Sequence, residues 1–239
     1  MPAASYTIVP LGDDALTIQF GNRIDALISG QVRTLQQRIQ AGQMPGIIEC
    51  APAYSALSIF YDPGRVRAHY PGATSFETLR HYVEQCMAEM SWVQLTVATA
   101  PVRIPVCYDP AFALDAPEIA RHLHISPQQL IQFHTETEYT VFMLGFLPGF
   151  AYLGKLPEAL HCPRKATPAP VPAGSVAIAG MQTGIYPIDS PGGWHIIGRT
   201  PLPMFRPEAP SPCLLQAGDR VQFYSISIDE YSNIKSRHT

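Results

Sequence analysis

The sequence predicts an α+β chain of two domains, a two-layer α/β sandwich over residues 1–98 followed by a β-barrel over residues 99–239. Three observations predict it. In the first hundred residues, period-two apolar runs alternate with helical spacings, as helices laid on a mainly antiparallel sheet require. Twelve of the 24 prolines then fall between residues 157 and 212, among short apolar runs that no long helix tolerates. Inside that stretch, residues 172–201 carry six glycines, and the only charged side chains are Asp189 and Arg199. Such a backbone is suited to close approach, either to a ligand, to a partner, or to its own turned β core.

The N-terminal elements follow in order. YTIVP and ALTIQF read as strands, and Ile24, Leu27, Ile28, Val32, Leu35 and Ile39 then recur at the spacing of one amphipathic helix. IIECA and YSALSIFYD read as two further strands. Thr74 with Glu77 three residues on predicts a capping box opening a second helix, with Leu79, Val83, Cys86, Met87 and Met90 as its buried stripe. VQLTVAT closes the domain as a strand, giving the order ββαββαβ.

Past residue 98 the texture changes. RIPVCY reads as a strand, and two short helices follow, one opened by Asp115 with Glu118 and one by Ser126 with Gln129. ETEYTVF is a strand. SVAIAG, GIYPI, WHIIG and RVQFYSI supply the remaining short apolar runs of the barrel.

Composition excludes several functions. Sixteen basic against 19 acidic residues, with no run of like charge, argue against a nucleic-acid footprint or a membrane-surface helix. No apolar run approaches the roughly 18 residues of a membrane span, and the start MPAASYTIVPLGDD lacks a signal-peptide pattern, so a cytoplasmic protein is expected. Five widely spaced cysteines without a CxxC pair suit reduced thiols rather than a disulfide framework or a zinc site. His122, His124 and His134 lack further ligands at metal spacing, and no tightly bound metal is expected.

Two motifs bear on the site. GFAYLGK, residues 149–155, has the glycine and lysine spacing of a phosphate loop, but Leu156 stands where a Ser or Thr should meet magnesium, and the loop interior is apolar. Its better reading is an aromatic turn, with Phe146, Pro148, Phe150 and Tyr152 forming a site wall or a partner interface. In residues 172–201, Gln182, Thr183, Asp189, Ser190, His195, Arg199 and Thr200 are hydrogen-bonding groups on a glycine frame, as a polar ligand site requires. Asp189-Ser190-Pro191-Gly192 would equally make an ordinary tight turn.

These residues carry a resemblance. GFLPGFAYLGKLP, PRKATP, VPAGSVAIAGMQTGIYPIDSPGGWHIIGRTP and LLQAGDRVQF, with GDDALTIQFG and PAYSALSIFYDP near the start, are similar in order and spacing to the PxpB/KipI family, also called allophanate hydrolase subunit 1. The family looks like the first half of the carboxyltransferase region of urea carboxylase. The resemblance implies that the C-terminal barrel is cyclophilin-like. It implies an ATP-dependent 5-oxoprolinase, in which a subunit of this kind works with PxpC-like and PxpA-like subunits to cleave 5-oxo-L-proline to L-glutamate. ATP, with Mg2+, would be shared with the partner subunits, and this chain would be inactive alone. Phosphorylation of a lactam oxygen requires positioned cationic groups, for which Arg199 and Arg164 are the candidates. Carried over residue by residue, Asp189, His195 and Arg199 are the expected catalytic set, with Asp189 orienting Arg199 or accepting a proton. Gln182, Thr183, Ser190, Arg164 and Thr200 are expected to bind the lactam or the nucleotide. The chain departs from the family pattern at Ala169 and Pro170, where basic residues are usual, at Met181 and Arg206, and at His195, where Gln is common. Two other roles exist among relatives: a KipI-type inhibitor of a sensor histidine kinase, and a carboxyltransferase or allophanate-hydrolase-type subunit of urea or amide metabolism, which would need a separate biotin carrier.

Overall fold

Alternating apolar residues in ALTIQ and ALSIFY give each strand one buried face, and the helical stripes that follow supply the layer that covers it. The computed structural model describes residues 5–90 and 100–238. The chain divides into two compact units, Met1–Val97 and Ala98–Thr239.

The first unit runs β1 (Thr7–Pro10), β2 (Ala15–Gln19), α1 (Ala26–Gly42), β3 (Ile47–Pro52), β4 (Ala56–Tyr61), α2 (Pro63–His69) and α3 (Ser75–Glu89). Its antiparallel sheet has the order β1-β2-β4-β3. Leu16, Ile18, Leu57 and Ile59 from the sheet meet Val32, Leu35 and Ile39 of α1 and Leu79 and Val83 of α3 in one core. Each such side chain contributes about 1.5–3 kcal/mol on burial. Asp25 caps α1 by accepting from the Leu27 and Ile28 amides, so Ile24 precedes the helix, and Leu27 faces solvent. The Thr74–Glu77 capping box forms as expected. Helix α2 is an addition to the expected order: Asp62 accepts from the Arg65 amide, and Pro63 sits in the first turn, where its missing N–H costs nothing. The expected closing strand VQLTVAT lies outside the described residues.

The second unit runs β5 (Val102–Cys107), α4 (Ala116–His122), α5 (Pro127–Glu136), β6 (Glu138–Leu144), β7 (Ala151–Gly154), β8 (Ala169–Val171), β9 (Ser175–Ala179), β10 (Gln182–Ile185), β11 (Ser190–Gly192), β12 (His195–Arg199), β13 (Arg220–Ile226) and α6 (Ile228–Ser236). Seven strands close a barrel in the order β10-β7-β6-β13-β5-β12-β9, while β8 and β11 form a separate two-stranded ribbon. Among the described residues one pairing is parallel, between β13 and β5. The Ser126–Gln129 capping box of α5 forms, and a third box, Ser227–Glu230, opens α6, a helix the proline and strand patterns did not predict although its capping residues stand in the sequence. Asp115 corrects an expectation. It makes no side-chain cap on α4, because its carboxylate is taken by the Ile196 amide at 2.6 Å, 81 residues away.

Period-two alternation gives the barrel two distinct surfaces. Val176 and Ile178 of β9, Ile185 of β10 and Leu153 of β7 point into the interior core with Val141, Val221 and Phe223. Ala177 and Ala179, Ile196 of β12 and the half-buried Tyr152 belong instead to an outer cluster built on Phe150, Val171, Tyr186 and Trp194.

Candidate functional site

Inside the barrel the polar groups are consumed by one another. His134 is fully buried at the end of α5; its Nδ1 bonds the Tyr108 hydroxyl at 2.7 Å, and its Nε2 bonds Thr183 Oγ1 at 2.9 Å. Thr183 donates in turn to the Ala177 carbonyl at 3.0 Å. The His134 ring stacks on Phe223, with centroids 4.5 Å apart. Burial pushes its pKa down to about 3 and raises that of Tyr108, so the chain of bonds is neutral. Thr183 therefore faces the barrel core and holds a histidine, whereas the expectation was a ligand contact; strand alternation turns it inward beside Ile185.

The outer face is different in kind. Phe150 makes edge-on contacts with Tyr152, Tyr186 and Trp194 at centroid distances of 4.8, 5.1 and 5.6 Å. Phe146 stands against Phe150 and Tyr186, yet is 61% exposed and held at a φ of 71°. A left-handed, exposed phenylalanine is a strained choice that a buried packing role does not require. Two glycines make room for these rings. A Cβ on Gly184 would meet Phe150 at 2.9 Å, and one on Gly192 would meet the Tyr186 hydroxyl at 2.3 Å. GFAYLGK begins in the expected turn at Gly149 and then runs into strand β7, which the sequence pattern did not assign.

Arg164 lies at the edge of this aromatic cluster. Its charge lowers the pKa of Tyr152 and of Tyr186, although burial of each phenol outweighs it and the net shift is upward. Its Nη2 would be 3.6 Å from a Cβ placed on Gly193. The loop carrying it is tied to β12 and its lead-in at three points. His195 Nε2 donates to the Pro163 carbonyl at 2.9 Å, the Lys165 amide to Gly193 O at 2.8 Å, and Lys165 Nζ pairs with Asp115 at 2.6 Å. The same Asp115 oxygen takes the Ile196 amide.

The remaining expected residues are spread over the unit. Asp189 is exposed and accepts from the Ala173 amide at 2.6 Å. It makes no ion pair with Arg199, whose guanidinium lies 5.1 Å over the Phe112 ring; burial raises the pKa of Tyr231 of α6, and the Arg199 charge beside it opposes that shift. Both lie against one turn: Asp189 accepts from the Ala173 amide, and a Cβ on Gly174 would meet Arg199 Cγ at 3.4 Å. Thr200 is buried and holds that turn, donating its amide to Gly174 O at 2.9 Å and accepting from the Leu202 amide at 3.3 Å. Ser190 pairs with Val171 in the ribbon, and with Asp189 it lines an open, proline-rich groove of about 440 Å³. Gln182 is buried between Gly154 and Ala179. Pro148 lies in the turn between Leu147 and Phe150, which is closed by the Phe150 amide on Leu147 O at 3.0 Å. The structure thus brings together Arg164, His195, Phe146, Phe150 and Tyr152, and sets Asp189 with Ser190, and Arg199 with Thr200, apart from them. Tyr186, Trp194, Asp115 and Lys165 join the cluster without having been expected there; the aromatic pair lay within the glycine-rich stretch, Lys165 beside Arg164, and Asp115 was expected only as a helix cap.

Among the described residues no group of three or more His, Cys, Asp or Glu side chains is placed to hold a metal ion, and no helix is long and apolar enough to cross a membrane. All five cysteines are free, and burial pushes the thiols of Cys50 and Cys162 up to about 11.

Residues 6–215 match the model of the family described as carboxyltransferase domain, subdomain C and D. The chain belongs to that family. Among its relatives, a Bacillus subtilis protein named as the B component of 5-oxoprolinase is 45% identical over 233 residues, 96% of this chain and 97% of that protein. An Escherichia coli protein of the same name is 36% identical over 89% of this chain and 93% of its own length. These relatives place the chain with the PxpB/KipI proteins within the carboxyltransferase-domain family. The crystal structure of the Kluyveromyces lactis urea carboxylase matches over 99% of this chain and 23% of that one, with a TM-score of 0.75 at 18% identity, a likeness of fold alone. The cyclophilin-like barrel is the carboxyltransferase-domain fold in this region.

Proposed function

We propose that this chain is the PxpB-type component of an ATP-dependent 5-oxoprolinase, inactive by itself and acting with PxpC-like and PxpA-like subunits to convert 5-oxo-L-proline to L-glutamate. The observation that carries this reading is the near end-to-end match, at 45% identity, to the B component of 5-oxoprolinase from Bacillus subtilis. The exposed Phe146 on an otherwise packed aromatic cluster supports a partner surface, since aromatic anchors dominate protein interfaces.

ATP supplies the driving chemistry: transfer of its terminal phosphoryl group to the lactam oxygen, with ADP leaving, turns a resonance-stabilised amide into an electrophile; water adds at the carbonyl carbon, the C–N bond breaks to free the amine, and phosphate departs as the carboxylate forms. Of the two candidate cations, Arg199 is engaged by Phe112 and Tyr231, while Arg164 is exposed and has no ion-pair partner among the described residues. Arg164 therefore fits a phosphoryl or carboxylate oxygen. With no metal cluster among the described side chains, Mg2+ would enter with the nucleotide or on a partner subunit. In this reading the reaction runs in the cytoplasm.

Reconstitution tests it. The purified chain mixed with its PxpC-like and PxpA-like partners should release glutamate and ADP from 5-oxoproline and ATP, and the chain alone should release neither. A complete mixture that yields no glutamate refutes the reading; binding and inhibition of a sensor kinase, or carboxyl transfer from carboxybiotin, would replace it.

A further inference from the structure

We propose that the proline-lined groove on the β8–β11 ribbon is a docking site for the PxpC-like partner. It takes an arginine or lysine side chain, flanked by an apolar residue, from a loop or terminus of that subunit, with Asp189 as the counter-charge. That such a partner exists rests on the 5-oxoprolinase reading; the place and the chemistry of the contact rest on the groove.

The groove is open and about 440 Å³ in volume. Four of its eight lining residues are prolines, Pro168, Pro170, Pro172 and Pro191, with Ala169 and Val171 between the first three. A proline ring fixes φ, so these walls are set before anything binds and little ordering is lost on docking. Two polar groups interrupt the apolar lining, and each has capacity to spare. Asp189 is the one charged residue of the groove; its Oδ1 accepts from the Ala173 amide at 2.6 Å, and no cation among the described residues pairs with its carboxylate. Ser190 Oγ is shielded from solvent and has no hydrogen-bond partner. A carboxylate beside a hydroxyl with free lone pairs suits a guanidinium or an ammonium, which brings donors only.

The ribbon is poorly made for recruiting a partner by strand addition. Pro170 and Pro191 stand opposite each other, flanked by the Ser190–Val171 and Gly192–Ala169 pairs. Two prolines cannot exchange N–H···O bonds, so theirs is the pair without them, and each ring nitrogen sits on an outer edge of the ribbon with no proton to offer. Side chains are left to make the contact, and charge to select it.

The groove is also continuous with the aromatic face that carries Phe146. Val171 lines the groove and belongs to the cluster of Phe150, Tyr186 and Trp194. Gly192 of β11 is bare where the Tyr186 hydroxyl closes on it, and the Phe146 ring stands edge-on to the same Tyr186 at 6.4 Å. Ile188, 43% exposed, precedes Asp189 and extends the apolar rim. An aromatic anchor with a charged contact nearby is a common composition for a specific interface.

Calorimetric titration of the full-length chain with the purified PxpC-like subunit, at low and at high salt, tests the groove. Asp189→Asn is the decisive variant, because the amide keeps an oxygen for the Ala173 amide and removes only the charge. It should weaken association roughly tenfold or more, flatten the salt dependence, and leave the melting temperature of the chain unchanged. Pro170→Arg, which sets a cation of the chain's own in the groove, should weaken association as well, and Ser190→Ala by a smaller factor. Glu118→Gln removes an exposed carboxylate on α4 and should bind as the unsubstituted chain does. Unchanged affinity in Asp189→Asn or in Pro170→Arg overturns the proposal, whatever those variants do to turnover. So does a loss of affinity that tracks a lowered melting temperature, a chain that binds no PxpC-like subunit, or an Asp189-dependent association with a second copy of the chain alone. The two readings fail separately. A reconstituted enzyme that releases glutamate and assembles equally well with Asp189→Asn removes the groove and leaves the oxoprolinase standing. An Asp189-dependent complex that releases no glutamate does the reverse.

Discussion

The two surfaces of the barrel wall use the same strands to opposite ends. Inside, Tyr108, His134 and Thr183 spend their hydrogen-bonding capacity on one another and on the Ala177 carbonyl. Outside, Arg164 keeps its charge unpaired among the described residues, and Phe146 keeps most of its ring in solvent. Adjacent residues in one strand thus have unrelated jobs: Thr183 points inward to a histidine, and Gly184 is bare so that Phe150 and Trp194 can close on it. Polarity alone does not mark a site. What marks one is polarity left over after the fold has taken its share.

The contrast can be broken most decisively from the inside. His134→Ala removes a ring stacked on Phe223, leaves the buried Tyr108 hydroxyl without its partner and takes from Thr183 the donor it accepts from, so urea unfolding should give a loss of roughly 3–5 kcal/mol. A loss under about 1 kcal/mol would mean the interior is not the sealed unit described.

Acid should act through the same group. The pKa of His134 is about 3 when folded against roughly 6.5 when unfolded, so between those values the unfolded chain binds a proton that the folded chain refuses. The stability it contributes is complete above about pH 6.5 and is lost as pH falls, at no more than about 1.4 kcal/mol per unit. Urea midpoints measured from pH 7 to pH 4.5 should show this slope in the native sequence and lose it in His134→Gln.

An outward substitution should cost association and spare folding. Phe146→Ala is expected to change unfolding free energy by about 0.5 kcal/mol or less, while weakening association with the PxpC-like partner by roughly 2 kcal/mol in a calorimetric titration. The reverse pattern would make Phe146 an ordinary packing residue. The smallest effect belongs to an outward charge far from the aromatic face: Arg220→Met, which breaks an exposed pair with Glu138, should shift the unfolding midpoint by the equivalent of about 0.5 kcal/mol or less.

Legibility in the sequence followed the range of the interaction. The capping boxes Thr74–Glu77 and Ser126–Gln129 and the stripes of α1 and α3 were readable because their partners lie within four residues. The α+β class and the barrel followed from apolar period and proline spacing. Asp115 looked like a cap for the same local reason, and was misread because its true partners, Lys165 and the Ile196 amide, are brought to it only by barrel closure. Asp189 and Arg199 were drawn together as the lone opposite charges in their segment, yet the β9 and β12 register sends one to Ala173 and the other to Phe112. The inward turn of Thr183 was in principle available from alternation with Ile185, but a four-residue strand gives too short a pattern to fix its phase.

The parallel pairing of β13 with β5 governs how the barrel is made. The strand that pairs in parallel with Val102–Cys107 is Arg220–Ile226, more than a hundred residues later, so the wall keeps two open edges until that strand has left the ribosome. At about 5–20 residues per second, that interval is on the order of ten seconds. Throughout it, unpaired N–H and C=O groups on β5 and β6 are available to other nascent chains. Chains cut short before Arg220 should therefore be recovered as aggregates rather than as smaller folded pieces, and expression conditions that slow synthesis should lower yield.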